Sequence, residues 1–560
     1  MRSPLPIPVR RPGARFLLEL DLSRGLLESP PVSPIGALRA MHVPTLRGVV
    51  QALHRAAADE HVAGLVAHVG AKQPTLAQSN ELRQAVAAFR REGKPTVCWA
   101  ETFGELGPGN VGYHLASAFE EVWLQPSGDV GLVGVTAQAV FVRDTLDKLG
   151  VRPEISQRHE YKTAADTLVR TAMTDANREM VTRLVESAME TLVGDVALGR
   201  GLDQATVRAV VDAAPLSAEE ALAQRLVDRI GYRDEVYADL RARLGEVDLK
   251  FVERYGKGGL AQVGATVSRR NKPVVALVHA AGPIHLGRGS SSPLSGRSIG
   301  SDSVGAALRA AGADDTVKAV VLRVDSPGGS YVASDAIRRE VLALRRTGRP
   351  VVASMANVAA SGGYYIAMPA DHVLASAGTI TGSIGVLAGK QVIRDLLERV
   401  GVRRESVTAG RYADMFSTDR PFADHEWQRL EAWLDRVYAD FTSKAAEDRG
   451  MPVDQLRAVA RGRVWTGADA LAHGLIDEVG GLERAIEVAC ERAGIARDEA
   501  ELRLTPRPRL VERVLPAENS ESPAAAGLFG DSAPSFERLL AATGLAPYGV
   551  LSVPFTWQLR

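Results

Sequence analysis

The chain has 560 residues, 46% of them hydrophobic and 24% charged, enough apolar material for roughly two to four globular domains. Lys plus Arg and Asp plus Glu stand at 67 each, so no net field draws the chain toward nucleic acid or anionic lipid. The two cysteines, Cys98 and Cys490, lie far apart and outside any CxxC pattern. They fit buried thiols in a reducing compartment, not a disulfide framework or a zinc site, and no cofactor or metal is expected.

From the amino terminus, residues 1–14 form a basic extension interrupted by prolines. The apolar stretch 16–22 is broken by Glu19 and Asp21, so neither segment has the continuous apolar core of a signal peptide. The longest largely apolar run, 274–283, is about half the roughly 20 residues a membrane-spanning helix needs. It reads as a buried strand. The expected location is cytoplasmic, or peripheral on a membrane surface.

Residues 112–135 align without a gap with 363–386, at an offset of 251. The same offset carries 148–152 onto 399–403 and Tyr161 onto Tyr412, while flanking matches occur at 255 (92–95 with 347–350) and 249 (221–228 with 470–477). The chain is therefore a tandem duplication. The expected units are a first repeat over 15–250, a seam over 251–272, a second repeat over 273–500 and a Pro/Ala-rich tail over 501–560. In the second repeat, 273–279, 319–324 and 350–354 read as buried strands. Between the last two, 334–346 places Ile337, Val341 and Leu344 at helical spacing. This βαβ pattern predicts an α/β layered fold, and the Gly/Ser-rich span 287–303 reads as a loop.

Two glycine-rich turns of the second repeat carry the candidate chemistry. Val324-Asp-Ser-Pro-Gly-Gly-Ser330 follows a strand and precedes a helix. Ala359-Ala-Ser-Gly-Gly-Tyr364 also follows a strand, and a helix is expected to open at its end. A serine there lies beside backbone N–H groups that have no helical acceptor, and flanking glycines let a substrate backbone approach. Acyl transfer needs this combination: Ser361 as nucleophile, with N–H donors from Gly328 or Gly329 and from Gly362 facing the developing oxyanion.

These turns, with Thr381-Gly-Ser-Ile-Gly385, make the chain similar to the signal peptide peptidase A family, peptidase family S49 or protease IV, in its long duplicated form. The resemblance covers nearly the whole chain. It implies a ClpP/crotonase-like fold, the Ser361 nucleophile and a lysine base in the first repeat within Tyr161-Lys-Thr-Ala164, hence Lys162. It also implies short or unfolded peptides as substrates, signal peptides among them, and a ring-like homo-oligomer, a tetramer in the family. The long relatives typically carry an amino-terminal anchor, which was not found here, so contact with a membrane is expected to be peripheral at most.

The repeat offset bears on the assignment independently. At 251, Ser361 falls on Asn110 and Lys162 on Ala413, so each repeat holds one member of a Ser–Lys dyad and lacks the other. The first repeat also lacks the glycine turn, with Lys72-Gln-Pro74 where the second has Pro327-Gly-Gly329. One composite site per chain is expected. Lys162 must be neutral to act as a base, which requires burial away from carboxylates; Asp166, four residues on, is the nearest in sequence. Ser383 is a candidate hydrogen-bond partner of Lys162. Singly, each residue has a plain reading: Ser361 as a turn former and Lys162 as a solvated side chain. Two other functions share the architecture, a crotonase-type acyl-CoA hydrolase or isomerase and a catalytically inactive scaffold.

Overall fold

The computed structural model describes residues 15–29, 43–255, 272–289, 291–292, 296–506 and 551–552. The 1–14 extension, most of the seam and most of the tail lie outside the described residues.

Two sheets carry the chain. The first runs Arg229–Ile230, Glu121–Leu124, Thr96–Ala100, Val62–His68, Arg15–Asp21, Val247–Phe251, with every neighbouring pair parallel. The second repeats this order with Glu478–Val479, His372–Ala375, Val351–Ala360, Val317–Ser326, Val274–Ala281, Glu501–Leu504, again all parallel. Beyond this frame, Ile380–Gly382 pairs with the far end of Val351–Ala360, and Val464–Thr466 closes the edge antiparallel. The tandem α/β architecture read from the sequence repeat is thus repeated strand for strand. One boundary differs: Glu501–Leu504, assigned to the tail, is an edge strand against Val274–Leu277, where Leu502 and Leu504 pack on the core. The span 287–303 also contains more than loop, since a strand at Ile299–Gly300 leads into a helix over Ser301–Ala313.

Parallel strands with helices on both faces read as unbroken apolar runs, because alternate side chains enter two different cores. In the second sheet Val320, Leu322, Val351 and Ala353 face the helices Tyr331–Arg345 and Asp424–Arg449, while Val321, Val352 and Leu374 meet the helix Leu482–Ala493. In the first, Leu65 and Cys98 face one layer, while Val66, Val97 and Trp99 pack on Val236 and Leu240 of Arg233–Leu244. Both cysteines are buried and unpaired. Among the described residues no helix is long and apolar enough to cross a membrane.

The halves dock through several contacts. Strand Arg152–Gln157 of the first pairs antiparallel with Leu387–Val392 of the second. Beneath that pair, Leu146, Val151 and Leu168 pack with Ile393, Leu396 and Leu397. On the long helix Asp175–Arg200, capped by Thr174 and ended by left-handed Gly201, Met180 and Leu184 pack with Ala360, Ile380 and Val464. Arg183 on the same helix grips Asp469 at 2.8 Å. One deeply buried contact is ionic. The Arg323 guanidinium, 1% exposed, donates to Glu28 at 2.7 Å, Glu81 at 2.6 Å and Ser354 at 2.8 Å. The other oxygen of Glu81 accepts the N–H of Leu482 at 2.8 Å. One carboxylate thus ties the helix Leu76–Arg91 to the middle and one face of the opposite sheet.

Removing one partner of such a pair strands a charge in the interior, at a cost of about 3–5 kcal/mol. Arg323→Met leaves both Glu28 and Glu81 without their cation and is therefore expected to lower the urea unfolding free energy by about that amount, whereas combining it with Glu28→Gln and Glu81→Gln recovers most of the loss. Equal losses in the single and triple variants would contradict this account.

Candidate active site

Strand Val351–Ala360 ends at the candidate nucleophile. Ser361 has φ +56°, a left-handed conformation that costs a residue with a Cβ free energy and marks a backbone held by its surroundings. The holding contacts are visible. The Ser361 N–H donates to Gly382 O at 2.8 Å, and Ser361 O accepts from Tyr365 N at 2.9 Å, opening the helix Gly362–Ala367. Gly362, the first residue of that helix, has an N–H without an acceptor in its own helix.

Lys162 enters from the first half between the strand Arg152–Gln157 and a short 3-10 turn over Thr163–Ala165. Its Nζ lies 2.7 Å from Ser361 Oγ, 3.0 Å from Ser383 Oγ and 3.1 Å from Ser383 O. Lys162 and Ser361 are fully buried and Ser383 is 1% exposed. Burial pushes the Lys162 amine well below the ordinary lysine range, and among the described residues no carboxylate opposes that shift. Asp166 does not act on the amine. Its own carboxyl is pushed up to about 6 by burial, and its Oδ2 has no hydrogen-bond partner among the described residues.

The glycine turn Pro327-Gly-Gly329 lies against the same helix start. A Cβ built at Gly362 would fall 3.1 Å from Gly329 N and 3.2 Å from Gly328 Cα, so the turn and the nucleophile are in direct contact. Gly328 and Gly329 have φ +105° and +152°, and a Cβ at Gly329 would collide with Ile284 O at 2.1 Å. The Gly328 N–H donates to Ser326 Oγ at 3.2 Å, which leaves Gly329 and Gly362 as the candidate oxyanion donors of the expected set. Leu551–Ser552 pairs antiparallel with Gly328–Gly329, so this edge accepts an extended strand. Near the site, His159 is exposed against Tyr438, and Tyr364 is buried with its hydroxyl on Leu475 O.

Sequence reasoning gave Asp325 no role, yet its carboxylate holds the nucleophile strand. It accepts from Val358 N at 3.1 Å and from Asn357 Nδ2 at 3.2 Å, while Asn357 Oδ1 accepts from Thr75 of the first half at 2.5 Å. The signal was a carboxylate at a strand end directly before a glycine turn.

At the counterpart position in the first half, Asn110 is bonded on both sides to Gly134. A Ser–His–Asp chain does exist in that half. Ser79 Oγ lies 2.7 Å from His114 Nδ1, and His114 Nε2 lies 2.8 Å from Asp195. It is structural. Ser79 sits on the helix Leu76–Arg91 with its own N–H on Thr75 O, and neither a positive φ nor a glycine turn accompanies it there. Burial holds His114 down to about 4, so the neutral ring accepts from one neighbour and donates to the other.

The sequence model of peptidase family S49 matches residues 88–248 and 343–496. Serine protease SPPA, chloroplastic, of Arabidopsis thaliana is 34% identical over 449 residues, 79% of this chain and 64% of that protein. Protease 4 of Salmonella typhi is 30% identical over 508 residues, 86% of this chain and 79% of the relative. Protease 4 of Haemophilus influenzae is 30% identical over 488 residues, 83% and 76% respectively.

Burying a neutral lysine has a stability signature. The unfolded chain keeps the Lys162 proton up to about 10.4, whereas the folded chain releases it at lower pH. Between those values the unfolded state binds one proton more, so folding stability rises with pH through that window. Lys162→Met removes the linkage. Its stability relative to wild type should fall steadily as urea unfolding is repeated from pH 7 to pH 10; a pH-independent difference would mean that the lysine stays charged when buried.

Proposed function

This chain belongs to peptidase family S49, and we propose that it is a serine endopeptidase working through a Ser361–Lys162 dyad and an acyl-enzyme. The observation that carries the reading is the 2.7 Å contact between the halves, made by an amine stripped of water and free of carboxylates. A neutral amine has one lone pair and two hydrogens. The Ser361 hydroxyl donates to the lone pair, and the two hydrogens go to Ser383 Oγ and O, so all three contacts are used. Ser361 Oγ attacks the peptide carbonyl as its proton passes to Lys162, and the N–H groups of Gly329 and Gly362 receive the oxyanion. Lys162 gives the proton to the leaving amine. Water, deprotonated by the same amine, then releases the acyl group and regenerates Ser361.

The substrates are short or unfolded peptides, signal peptides among them. Pairing of Leu551–Ser552 along Gly328–Gly329 supports this, because a substrate entering as an extended strand would take that same edge in its place. A crotonase-type acyl-CoA reaction is disfavoured by a lysine base in place of a carboxylate.

The partner is a second copy, docked head to tail. Within the chain, Met180, Leu184 and Ser187 of the first half are covered by the second. A shift of 249 carries them onto Arg429, Trp433 and Arg436, which together with Leu387, Met415 and Phe416 line an uncovered cavity of about 640 Å³. The paired strands 152–157 and 387–392 likewise have counterparts at 403–408 and 136–141, and these pair with no strand among the described residues. Val140 and Phe416 stand 63% and 62% exposed there. Each chain thus ends in one open copy of each complementary surface, which is the condition for a heterologous ring.

A fluorophosphonate probe should label the wild type and fail to label Ser361→Ala and Lys162→Ala; normal labelling of Lys162→Ala would sink the dyad. Light scattering on a sizing column should give an oligomer for the wild type and a monomer for Trp433→Glu, with probe labelling retained. An oligomer of unchanged mass in Trp433→Glu would refute this docking.

A further inference from the structure

The base is held from behind by a turn of the second half that has no role in the scheme above. Ala460 to Arg463 lies against 383–384 through Gly462 N–H to Ile384 O at 2.8 Å and Ser383 N–H to Arg463 O at 2.7 Å. Lys162 passes directly over it. A Cβ built at Gly462 would fall 2.5 Å from both Lys162 N and Lys162 Cβ and 2.6 Å from its Cα, and the Gly462 φ of +81° is itself unfavourable for any other residue. A Cβ at Gly385 would lie 2.8 Å from Gly462 Cα and 3.3 Å from Lys162 Cδ. The two glycines form a slot with no spare volume, holding the main chain of Lys162 and the stem of its side chain. Outside the slot the first half is clasped by Arg461 on Glu160 at 2.5 Å and by Arg463, which reaches Glu179 at 2.6 Å and lies 4.8 Å from the Tyr161 ring centre.

The repeat offers an independent sign. A shift of 249 places Gly462 on Ala213. The glycine stands in the half that receives the lysine, and an alanine stands in the half whose counterpart site has lost its serine to Asn110.

We infer that Gly462, assisted by Gly385, is a positioning residue for the general base: it lets the Lys162 backbone approach closely enough for Nζ to reach Ser361 and stay out of water. The inference rests on the dyad reading of the preceding section. Neither glycine touches substrate.

The test is kinetic. In Gly462→Ala, Lys162 must withdraw by the width of a methyl group, so kcat should drop about 100-fold with KM within twofold of wild type. Because the displaced amine gains water, its pKa climbs toward the ordinary lysine value, and the acid limb of kcat/KM should move to higher pH. Gly494→Ala is the control for backbone strain. It also has positive φ (+66°) at a helix end, but with open space around its Cβ, and should lose stability without any change in pH profile. Gly385→Ala presses on Gly462 Cα at 2.8 Å and on the lysine stem at 3.3 Å, not on the Lys162 backbone, and should shift the limb in the same direction by a smaller amount. If Gly462→Ala proves insoluble, Gly385→Ala alone decides, and an unshifted acid limb overturns the proposal. So does a Gly462→Ala enzyme with wild-type kcat, or one whose lost activity merely follows its lost stability with the limb unmoved. Failure of the dyad itself is recognised separately, by a Lys162→Ala protein that still reacts with the probe.

Discussion

In the proposed mechanism an amine removes a proton from serine near neutral pH, which requires that water be kept from it, and the packing around Lys162 meets that requirement. Burial lowers the Lys162 pKa, and among the described residues no neighbouring cation adds to the shift. Full burial of a lysine demands packing on all sides, which a surface loop of the first half cannot supply alone. The second half provides the remaining walls through Ser383, Gly385 and Gly462. The interface must then be rigid enough that the lysine cannot escape to solvent, and the ion pair of Arg323 with Glu81 contributes to that rigidity from inside. A buried ion pair is an inefficient source of stability, but it is selective about geometry, which is what docking two similar halves in one register requires.

Duplication has let the two halves diverge in complementary ways. The half that holds Ser361 keeps the glycine turn and the strained serine; the half that holds Lys162 has exchanged both. What remains at the vacated positions is quiet chemistry. Asn110 satisfies both ends of its amide on Gly134, and the Ser79, His114 and Asp195 chain fastens three helices together. The same three residue types are catalytic elsewhere. Here the lack of a left-handed serine backbone and a glycine turn at Ser79, rather than the hydrogen-bond distances, separates a structural relay from a reactive one.

Much of this was legible in the sequence because it depends on local signals. The buried strands announced themselves as runs of Val, Leu and Ala, the turns by their glycines, and the duplication by a constant offset. From that offset came the division of the dyad between halves, a statement about three dimensions drawn from one. What escaped was set by contacts distant in sequence. Nothing local marks Glu81 as the partner of Arg323, 242 residues away. Glu501 to Leu504 alternates too briefly to be told from the segment that follows. Asp325 had no role in the sequence reading, yet its carboxylate holds Val358 and Asn357. Gly462 lies between two arginines in an unremarkable stretch, and only the lysine packed against it explains its lack of a side chain. Even there the alanine at 213 was available as a clue.

Because both halves belong to one polypeptide, their meeting is an intramolecular event governed by an effective concentration, of millimolar order for short flexible linkers, rather than by the amount of protein in solution. A serine half and a lysine half made as separate chains would lose their shared site on dilution. Here each molecule carries its own complement, so the contact between Ser361 and Lys162 does not depend on expression level. Selection on the interface is correspondingly relaxed: the contact between halves needs only to be correct, not tight enough to capture a partner from bulk. That freedom suits a joint whose centre is a fully buried lysine and whose closest approach is glycine on backbone.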